Sequence, residues 1–555
     1  MIKRIVPLLL FYNSIAFANL PPNSKYFSPI SESRRALQDS NREIKQLSKL
    51  SHQEQIEQNL NKSELKAKKQ ILPESDICLP ISGIYLQGIT LLNNTDLENI
   101  TPISHDCITT ATLNLLAREV TQLYLDKGFI TARVQFIQPN KDGELGVQVI
   151  EGFIEKIVGG NWWINTRFLF PNTINKPLNL RVLDQGLDQA NRLQSNQATL
   201  DILPGQLSGG SIVVLHNRHK RPWFVSTSID NYGQINTGEW LGHTTLSFDS
   251  PFGMSDFFSI NINTTIKSYS EKFNRSYTLF YSVPYGNLTF SNFYSYSQYL
   301  TKLQLPNSLI DLDGNTQQYG IKGDYLAYRD QDNLITLSGQ LTQKRVNNYF
   351  ADALILVSSP KLSVLELSVN HAHIFTDGVL NSNFSIEKGL SILGIDSSKN
   401  IINNQFVKYK FALDFNQYFT AFDANYQFKH QLFAQYSPDP LPGLEWLSLT
   451  ERSAIRGFSH SSVSGDNGWY IRNTLSRSYW VAGSQVTPRV GFDLGQVYPQ
   501  GKRRQESTAF GFSLGITAHY NQATIDIDIS RGEIVSGSVT RNEPIMALFN
   551  LAYQF

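Results

Sequence analysis

The sequence predicts a transmembrane all-β barrel preceded by a soluble arm of small α+β modules, and three observations carry that prediction. The chain closes on Met546-Ala-Leu-Phe-Asn-Leu-Ala-Tyr-Gln-Phe555, with Ala547, Phe549, Leu551, Tyr553 and Phe555 on one face of a period-2 strand. At the other terminus Lys3 and Arg4 precede an apolar stretch, Ile5 to Ala16, that ends in Ala16-Phe17-Ala18, the pattern of a cleaved export signal. Beyond Arg221 the texture is strands separated by Gly, Asn, Ser and Asp clusters. Trp223, Val225, Thr227 and Ile229 alternate with Phe224, Ser226, Ser228 and Asp230, and Ile525, Ile527 and Ile529 alternate with Asp526, Asp528 and Ser530. Two faces so different meet different solvents.

Residues 1–18 are expected to be a signal peptide. No later stretch approaches the ~20 apolar residues that a spanning helix needs, so a barrel, which satisfies its backbone groups between strands, is the remaining way to cross a membrane. The composition agrees: 41% hydrophobic and 12% aromatic residues suit strands with one lipid face and one wet face. A formal charge of +1 gives no reason to expect nucleic acid as a partner.

Residues 19–72 read as a helix and linker. The segment from Ser31 is rich in Arg, Glu, Gln and Ser, with sparse apolar positions at Ala36, Leu37, Ile44 and Leu47. Such a helix, with Ser31 as its cap, is polar nearly all round and belongs in water or in a polar cavity. Lys62, Lys66, Lys68 and Lys69 mark a charged linker that ends near Pro73.

Residues 73–152 read as a first module in the order strand, helix, strand, strand. Leu113, Leu116, Val120, Leu123 and Tyr124 recur at helical spacing between Thr109 and Asp126, and Gly128 follows as a cap. Its two cysteines, Cys78 and Cys107, are the only ones in the chain. In an oxidising compartment they are expected to bridge, contributing about 3 to 4 kcal/mol through a loop of roughly 30 residues; two free structural thiols are the competing reading. A metal site is disfavoured, because only His105 is nearby and no CxxC exists.

Residues 153–219 echo the first module in shorter form. A helix is expected from Leu180 to Leu193, with Val182, Leu183, Leu187, Ala190 and Leu193 apolar, followed by strands over 199–203 and 211–216. Each module should leave a sheet edge open to an added strand. Leu200, Ile202, Val213 and Leu215 are the candidates for such edge pairing.

Residues 220–555 form the expected barrel. Within it Gly511-Phe-Ser513-Leu-Gly515 matches the nucleophile-elbow pattern, which requires a strand, a strained turn and a helix. Phe510, Phe512, Leu514 and Ile516 alternate straight through it, so Ser513 reads as a lumen-facing strand residue. His519, six residues on along a strand, lies about 20 Å away. No enzymatic activity is expected.

The layout resembles the outer-membrane transporters of two-partner secretion systems, the hemolysin-activator branch of the Omp85 superfamily. Three segments carry the resemblance. Leu123-Tyr-Leu-Asp-Lys-Gly-Phe-Ile-Thr-Ala-Arg133 resembles the helix-to-strand junction of a first POTRA domain. Ile455-Arg456-Gly457-Phe458 is similar to the tip of the long sixth extracellular loop, usually Val-Arg-Gly-Tyr. Gly491-Phe-Asp493-Leu-Gly495 resembles the barrel-wall motif that receives the arginine.

The resemblance implies a 16-stranded barrel, two periplasmic POTRA domains and an amino-terminal helix plugging the lumen. About 335 residues over 16 strands allow about 21 for each strand and its connection, enough for ~9–11 spanning residues. It also implies a loop-six anchor at Arg456, Gly457 and Phe458 that pairs with Asp493 between Gly491 and Gly495. A guanidinium carried into a partly desolvated lumen needs a carboxylate, best met as a bidentate pair. The implied partners are a secreted exoprotein of the TpsA type (a hemolysin, an adhesin or a contact-dependent inhibition toxin), outer-membrane lipid, and the barrel assembly machinery, for which Tyr553 and Phe555 would be the terminal signal. No cofactor, metal or nucleic acid is implied. An insertase of the same superfamily and a passive porin are the alternatives.

Overall fold

A computed structural model describes residues 28–49, 78–98, 100, 107–267, 271–305, 308–392, 404–459, 461–500, 505–537 and 541–555. The expected signal peptide and most of the linker lie outside the described residues.

The amino-terminal helix spans Pro29–Lys49. It begins before Ser31, because Pro29, which has no N–H to satisfy, opens the first turn. The Ser28 carbonyl accepts the backbone N–H of Ser31 at 3.0 Å and of Glu32 at 3.2 Å. Ser31 therefore sits inside the helix, where its hydroxyl donates back to Ser28 at 2.7 Å.

The first module places Glu144–Ile150 at the centre of a three-stranded sheet, parallel to Gly83–Gln87 and antiparallel to Arg133–Ile137. Its helix, Thr110–Asp126, starts with a Thr109/Thr112 capping box and buries Leu113, Leu116, Val120 and Tyr124. Leu116, Val120 and Tyr124 pack on Val147 and Val149. A further short helix, Asn94–Leu97, has too few residues to show a period. Cys78 and Cys107 are bonded, their Cα atoms 5.2 Å apart, which ties the module's entry to the start of its long helix.

The second module repeats the scheme, with Gly210–Asn217 between Phe153–Val158 and Ala198–Pro204. Val213 and Leu215 thus lie in the central strand, buried in the core with Ile154, Leu178 and Leu183. This corrects their expected place on an edge: both strands alternate, and alternation reports which face is apolar, not which strand has a neighbour on each side. Leu200 and Ile202 are on the true edge strand, with side chains packed against that core. The helix runs Leu180–Asn191, burying Leu183 and Ala190; Val182 is exposed instead.

Sixteen long strands then close an antiparallel barrel, from Trp223–Asp230 to Met546–Gln554. Closure rests on five register pairs, Asp230 with Asn550 through Ser226 with Gln554. Asn231 extends the seam: its side chain accepts from the Phe549 N–H at 2.7 Å and donates to the Ala547 carbonyl at 2.9 Å. The Phe555 N–H donates to Val225 at 2.8 Å, and the Tyr553 and Phe555 rings meet edge-on at 4.7 Å. Ile525, Ile527 and Ile529 face outward and exposed, while Ser530 on the other face is buried. Ser513 lies in mid-strand, paired with Gly491 and Ser530, with no turn or helix beside it.

The second module docks under one end of the barrel. Arg192 donates to the Ser255 carbonyl at 3.0 Å, Ser195 N–H to Asp249 at 2.8 Å, and Arg329 from the wall pairs with Asp188 at 2.6 Å. At the opposite end the chain leaves the wall after Asp230, Thr265, Leu305, Phe350, Leu390 and then Tyr436. Residues 437–466 are therefore the sixth loop at the far end.

Candidate functional site

Loop six folds back into the lumen. Leu447–Ser448 and Ser464–Gly465 pair as a short antiparallel ladder. Leu449, Ile455 and Phe458 then pack on Val497, Ala509 and Ile534 of the inner wall. This apolar contact carries Arg456, between Ile455 and Gly457, to the wall.

Asp493 is fully buried, and only 9% of the Arg456 side chain is exposed. The guanidinium grips the carboxylate with both edges: Nε donates to Oδ2 at 2.7 Å and Nη2 to Oδ1. The backbone N–H of Arg456 donates to Oδ2 as well, at 2.9 Å. Two further guanidinium donors go to Thr474 Oγ1 at 3.1 Å and the Asn473 carbonyl at 2.7 Å. A buried charge pair with four of the five guanidinium N–H groups engaged in this way holds together in a partly dry setting.

Glycines make the space. Asp493, Gly511 and Gly532 stand in register across three neighbouring strands. A Cβ at Gly491 would come within 2.1 Å of Arg456 Nη1, one at Gly511 within 2.2 Å of the Arg456 carbonyl oxygen, and one at Gly532 within 2.6 Å of the Phe458 ring. Gly457 adopts φ +95°, a region that side chains rarely enter, so the tip turns directly over the Arg531 backbone. Gly495 is closed in by Tyr470 and Leu449. Gly511 and Gly532 were missed from the sequence, the first because it lay inside the nucleophile-elbow pattern. The available signal was small residues at inward positions of successive strands.

A second clamp holds the root of the loop, and no sequence motif announces it. Glu445, on the turn Gly443–Glu445, pairs with Lys344 at 2.6 Å and Lys408 at 2.7 Å. Lys408 also pairs with Glu387 at 2.8 Å, and Lys410 joins Glu387 and Glu366. The Gln435 side chain donates to the Glu445 carbonyl at 3.0 Å.

The helix Pro29–Lys49 lies in the lumen against the same loop. Arg34 Nε donates to the Gly443 carbonyl at 2.8 Å, and Arg35 pairs with Glu451 at 3.0 Å. Leu37 enters an apolar cluster with Leu441, Leu444 and Val364. The wall supplies polar partners: Asn263 to Glu43 at 2.6 Å, Gln318 to Asn41 at 2.6 Å and Ser33 to Asn348 at 3.2 Å. Beneath the helix a cavity of about 470 Å³ is lined by Asn41 and Lys45, by Gln189 and Arg192 of the second module, and by polar wall residues. Among the described residues no cluster of His, Cys, Asp and Glu could hold a metal ion.

Comparison with known proteins places this arrangement. The family model described as haemolysin secretion/activation protein ShlB/FhaC/HecB matches residues 209–518. A ShlB-type POTRA domain matches 79–152, and a further POTRA domain matches 153–204. The chain is 48% identical to the hemolysin transporter protein ShlB of Serratia marcescens and 44% identical to the hemolysin transporter protein HpmB of Proteus mirabilis, in each case over 100% of both chains. It is 31% identical to the outer membrane transporter CdiB of Escherichia coli O6:K15:H31, covering 72% of this chain and 69% of the other. Among solved structures, CdiB from Escherichia coli superposes with a TM-score of 0.81 at 25% identity, covering 97% of this chain and 100% of that one.

Proposed function

Because the chain belongs to the haemolysin secretion/activation family ShlB/FhaC/HecB, an outer-membrane transporter of two-partner secretion with its POTRA domains in the periplasm, we propose that its client is a hemolysin-type exoprotein. The observation that carries this choice is coverage. In sequence the likeness to two hemolysin transporters runs through the whole chain at 48% and 44% identity, whereas the sequence likeness to CdiB of Escherichia coli O6:K15:H31 is 31% and spans about 72% of it.

In this reading the client reaches POTRA 2 unfolded and adds a strand to the open edge at Ala198–Pro204, with Leu200 and Ile202 setting the face it meets. The plug helix leaves the lumen, and the client passes outward along the polar wall. Loop six, anchored by Arg456 to Asp493, keeps its tip off the path. Folding of the client outside supplies direction, so no nucleotide is consumed. Tyr553 and Phe555, at the closing seam, are the signal read by the barrel assembly machinery during insertion, with outer-membrane lipid as the surrounding partner and no nucleic acid.

The test is to express the chain with a hemolysin-type exoprotein in a host lacking both, and to measure client in the medium and lysis of erythrocytes. Client in the medium supports export, and lysis by that client supports activation. A client retained in the periplasm beside a correctly inserted barrel overturns the assignment of client.

A further inference from the structure

Outside the lumen, the surface where POTRA 2 meets the barrel holds features that export does not use. Trp162 belongs to POTRA 2, yet its indole N–H donates to the Ser250 carbonyl, in the barrel's first periplasmic turn, at 3.0 Å. Its ring fills the space over Gly253, where an added Cβ would lie 3.0 Å from the indole. The ring nevertheless remains 59% exposed. Beside it Phe252 is 60% exposed and meets Tyr281 edge-on at 5.8 Å. Trp223, 47% exposed, stands in register with exposed Phe248. Exposed aromatic rings at a barrel rim mark the level of lipid headgroups, and here a periplasmic domain contributes one.

The segment that joins POTRA 2 to the first strand, Arg218-His219-Lys220-Arg221, adds charge at that level. It alternates. Asn217 and His219 turn toward POTRA 2, Asn217 donating to Asn196 at 2.9 Å and His219 stacking on Trp163 at 4.3 Å. Arg218 and Lys220, at the alternate positions, are exposed, and neither forms an ion pair among the described residues. Arg221 lies over the Trp223 ring at 5.0 Å and the Phe224 ring at 5.8 Å. Cations beside interfacial aromatics are the chemistry that recognises anionic headgroups: the rings sit at the acyl boundary while the charged tips reach the phosphates.

We propose that Trp162, Arg218, Lys220 and Arg221 form a seat for anionic phospholipid of the leaflet that faces the periplasm, through which the membrane itself holds POTRA 2 under the barrel. The surface is continuous with the lipid-facing wall through Trp223 and Phe248, and its charge is complementary to that leaflet.

The test reconstitutes the full-length protein in vesicles of zwitterionic phosphatidylethanolamine and phosphatidylcholine, with or without phosphatidylglycerol, each carrying acyl-chain-brominated lipid as quencher. Wild-type tryptophan emission minus that of Trp162→Phe isolates Trp162. The expected result is quenching of that component, deepened by phosphatidylglycerol, with the deepening lost in Arg218→Gln/Lys220→Gln/Arg221→Gln while the barrel keeps its heat-modifiable mobility. Native mass spectrometry provides a second measurement, with fewer phosphatidylglycerol molecules retained by the triple variant than by wild type. A Trp162 component blind to brominated lipid overturns the seat. An unchanged phosphatidylglycerol effect in the triple variant overturns its charge recognition.

Discussion

Arg456 and Asp493 are joined by three hydrogen bonds, two from the guanidinium and one from the arginine's own backbone N–H at 2.9 Å. The carboxylate therefore holds the loop's main chain as well as its charge. Arg456→Ala should leave a buried carboxylate with part of its shell missing, and Asp493→Ala a buried guanidinium, each costing about 3–5 kcal/mol. Both should abolish secretion without preventing insertion. The double alanine variant should be no worse than either single one, since all three remove one contact. Client in the medium is the measurement, with heat-modifiable mobility as the folding control; additive losses would rule out a shared contact.

The glycine row makes a separate prediction. Gly491→Ala and Gly511→Ala should displace the loop tip although neither removes a charge, and each should cut secretion at least tenfold, corresponding to ~1.4 kcal/mol or more. Gly323→Ala, whose Cβ would meet nothing nearer than the Phe290 ring at 4.0 Å, is the matched control and should secrete normally. Equal behaviour of all three variants would mean that the tip tolerates crowding.

Proline scanning separates edge from centre in POTRA 2. At Val213 a proline breaks pairing within a central strand and should unfold the domain. Along Leu200, Asp201 and Ile202, proline should spare the fold wherever the lost N–H pointed to the free edge, and secretion should fall there with POTRA 2 still protease-resistant. Normal export from every folded edge variant would remove strand addition at Ala198–Pro204 as the capture step.

Deleting residues 24–60 should raise ion conductance in planar bilayers, because the helix occupying the lumen is removed together with its linker. Arg34→Ala with Arg35→Ala should show a smaller rise, as frequent openings rather than a constant one, since Leu37, Asn41 and Glu43 keep their partners. Single-channel recording distinguishes the two. Identical traces for wild type and deletion would exclude the helix as the plug.

POTRA 1 carries a pH dependence of its own. Partial burial pushes the Glu151 carboxyl up, but hydrogen bonds from the Thr90 side chain, Tyr124 and the backbone N–H groups of Thr90 and Leu91 outweigh it and hold the group below its usual 4.5. A carboxyl depressed in the folded state stabilises fully above the unfolded value and loses that contribution as pH falls through the folded one. The protection of amides in the helix Thr110–Asp126, taken relative to their intrinsic exchange rate at each pH, should therefore decline in wild type as pH falls below the usual carboxylate value. In Glu151→Gln that protection should be lower at neutral pH and change less with acid. A wild-type protection that acid changes no more than it changes the variant's would contradict it.

What was legible in the sequence was periodic or carried by a motif. Outward Ile525, Ile527 and Ile529 required only the two-residue period, and the tip and wall segments named Arg456 and Asp493 directly. Partnership between strands was not legible: Val213 and Leu215 have the pattern of an edge strand's apolar face, yet lie at the centre of the sheet. The Glu445 clamp was invisible for a related reason. Lys344 and Lys408 come from strands 101 and 37 residues away, and a lysine on a barrel strand looks like any lumen residue until closure brings the strands together.

The closing seam differs from every other joint in the wall. Lys361–Phe375 and Gly378–Leu390 share thirteen rungs and a covalent turn, whereas the first and last strands share five rungs and no turn at all. Hoop tension from a polypeptide threading the bore is borne elsewhere partly by the chain itself. At the seam it falls on hydrogen bonds alone, with Asn231 as a rivet. Mechanically, the cylinder is a rolled sheet with a single hem, and a load that exceeds its strength will part it between Ser226–Asp230 and Asn550–Gln554.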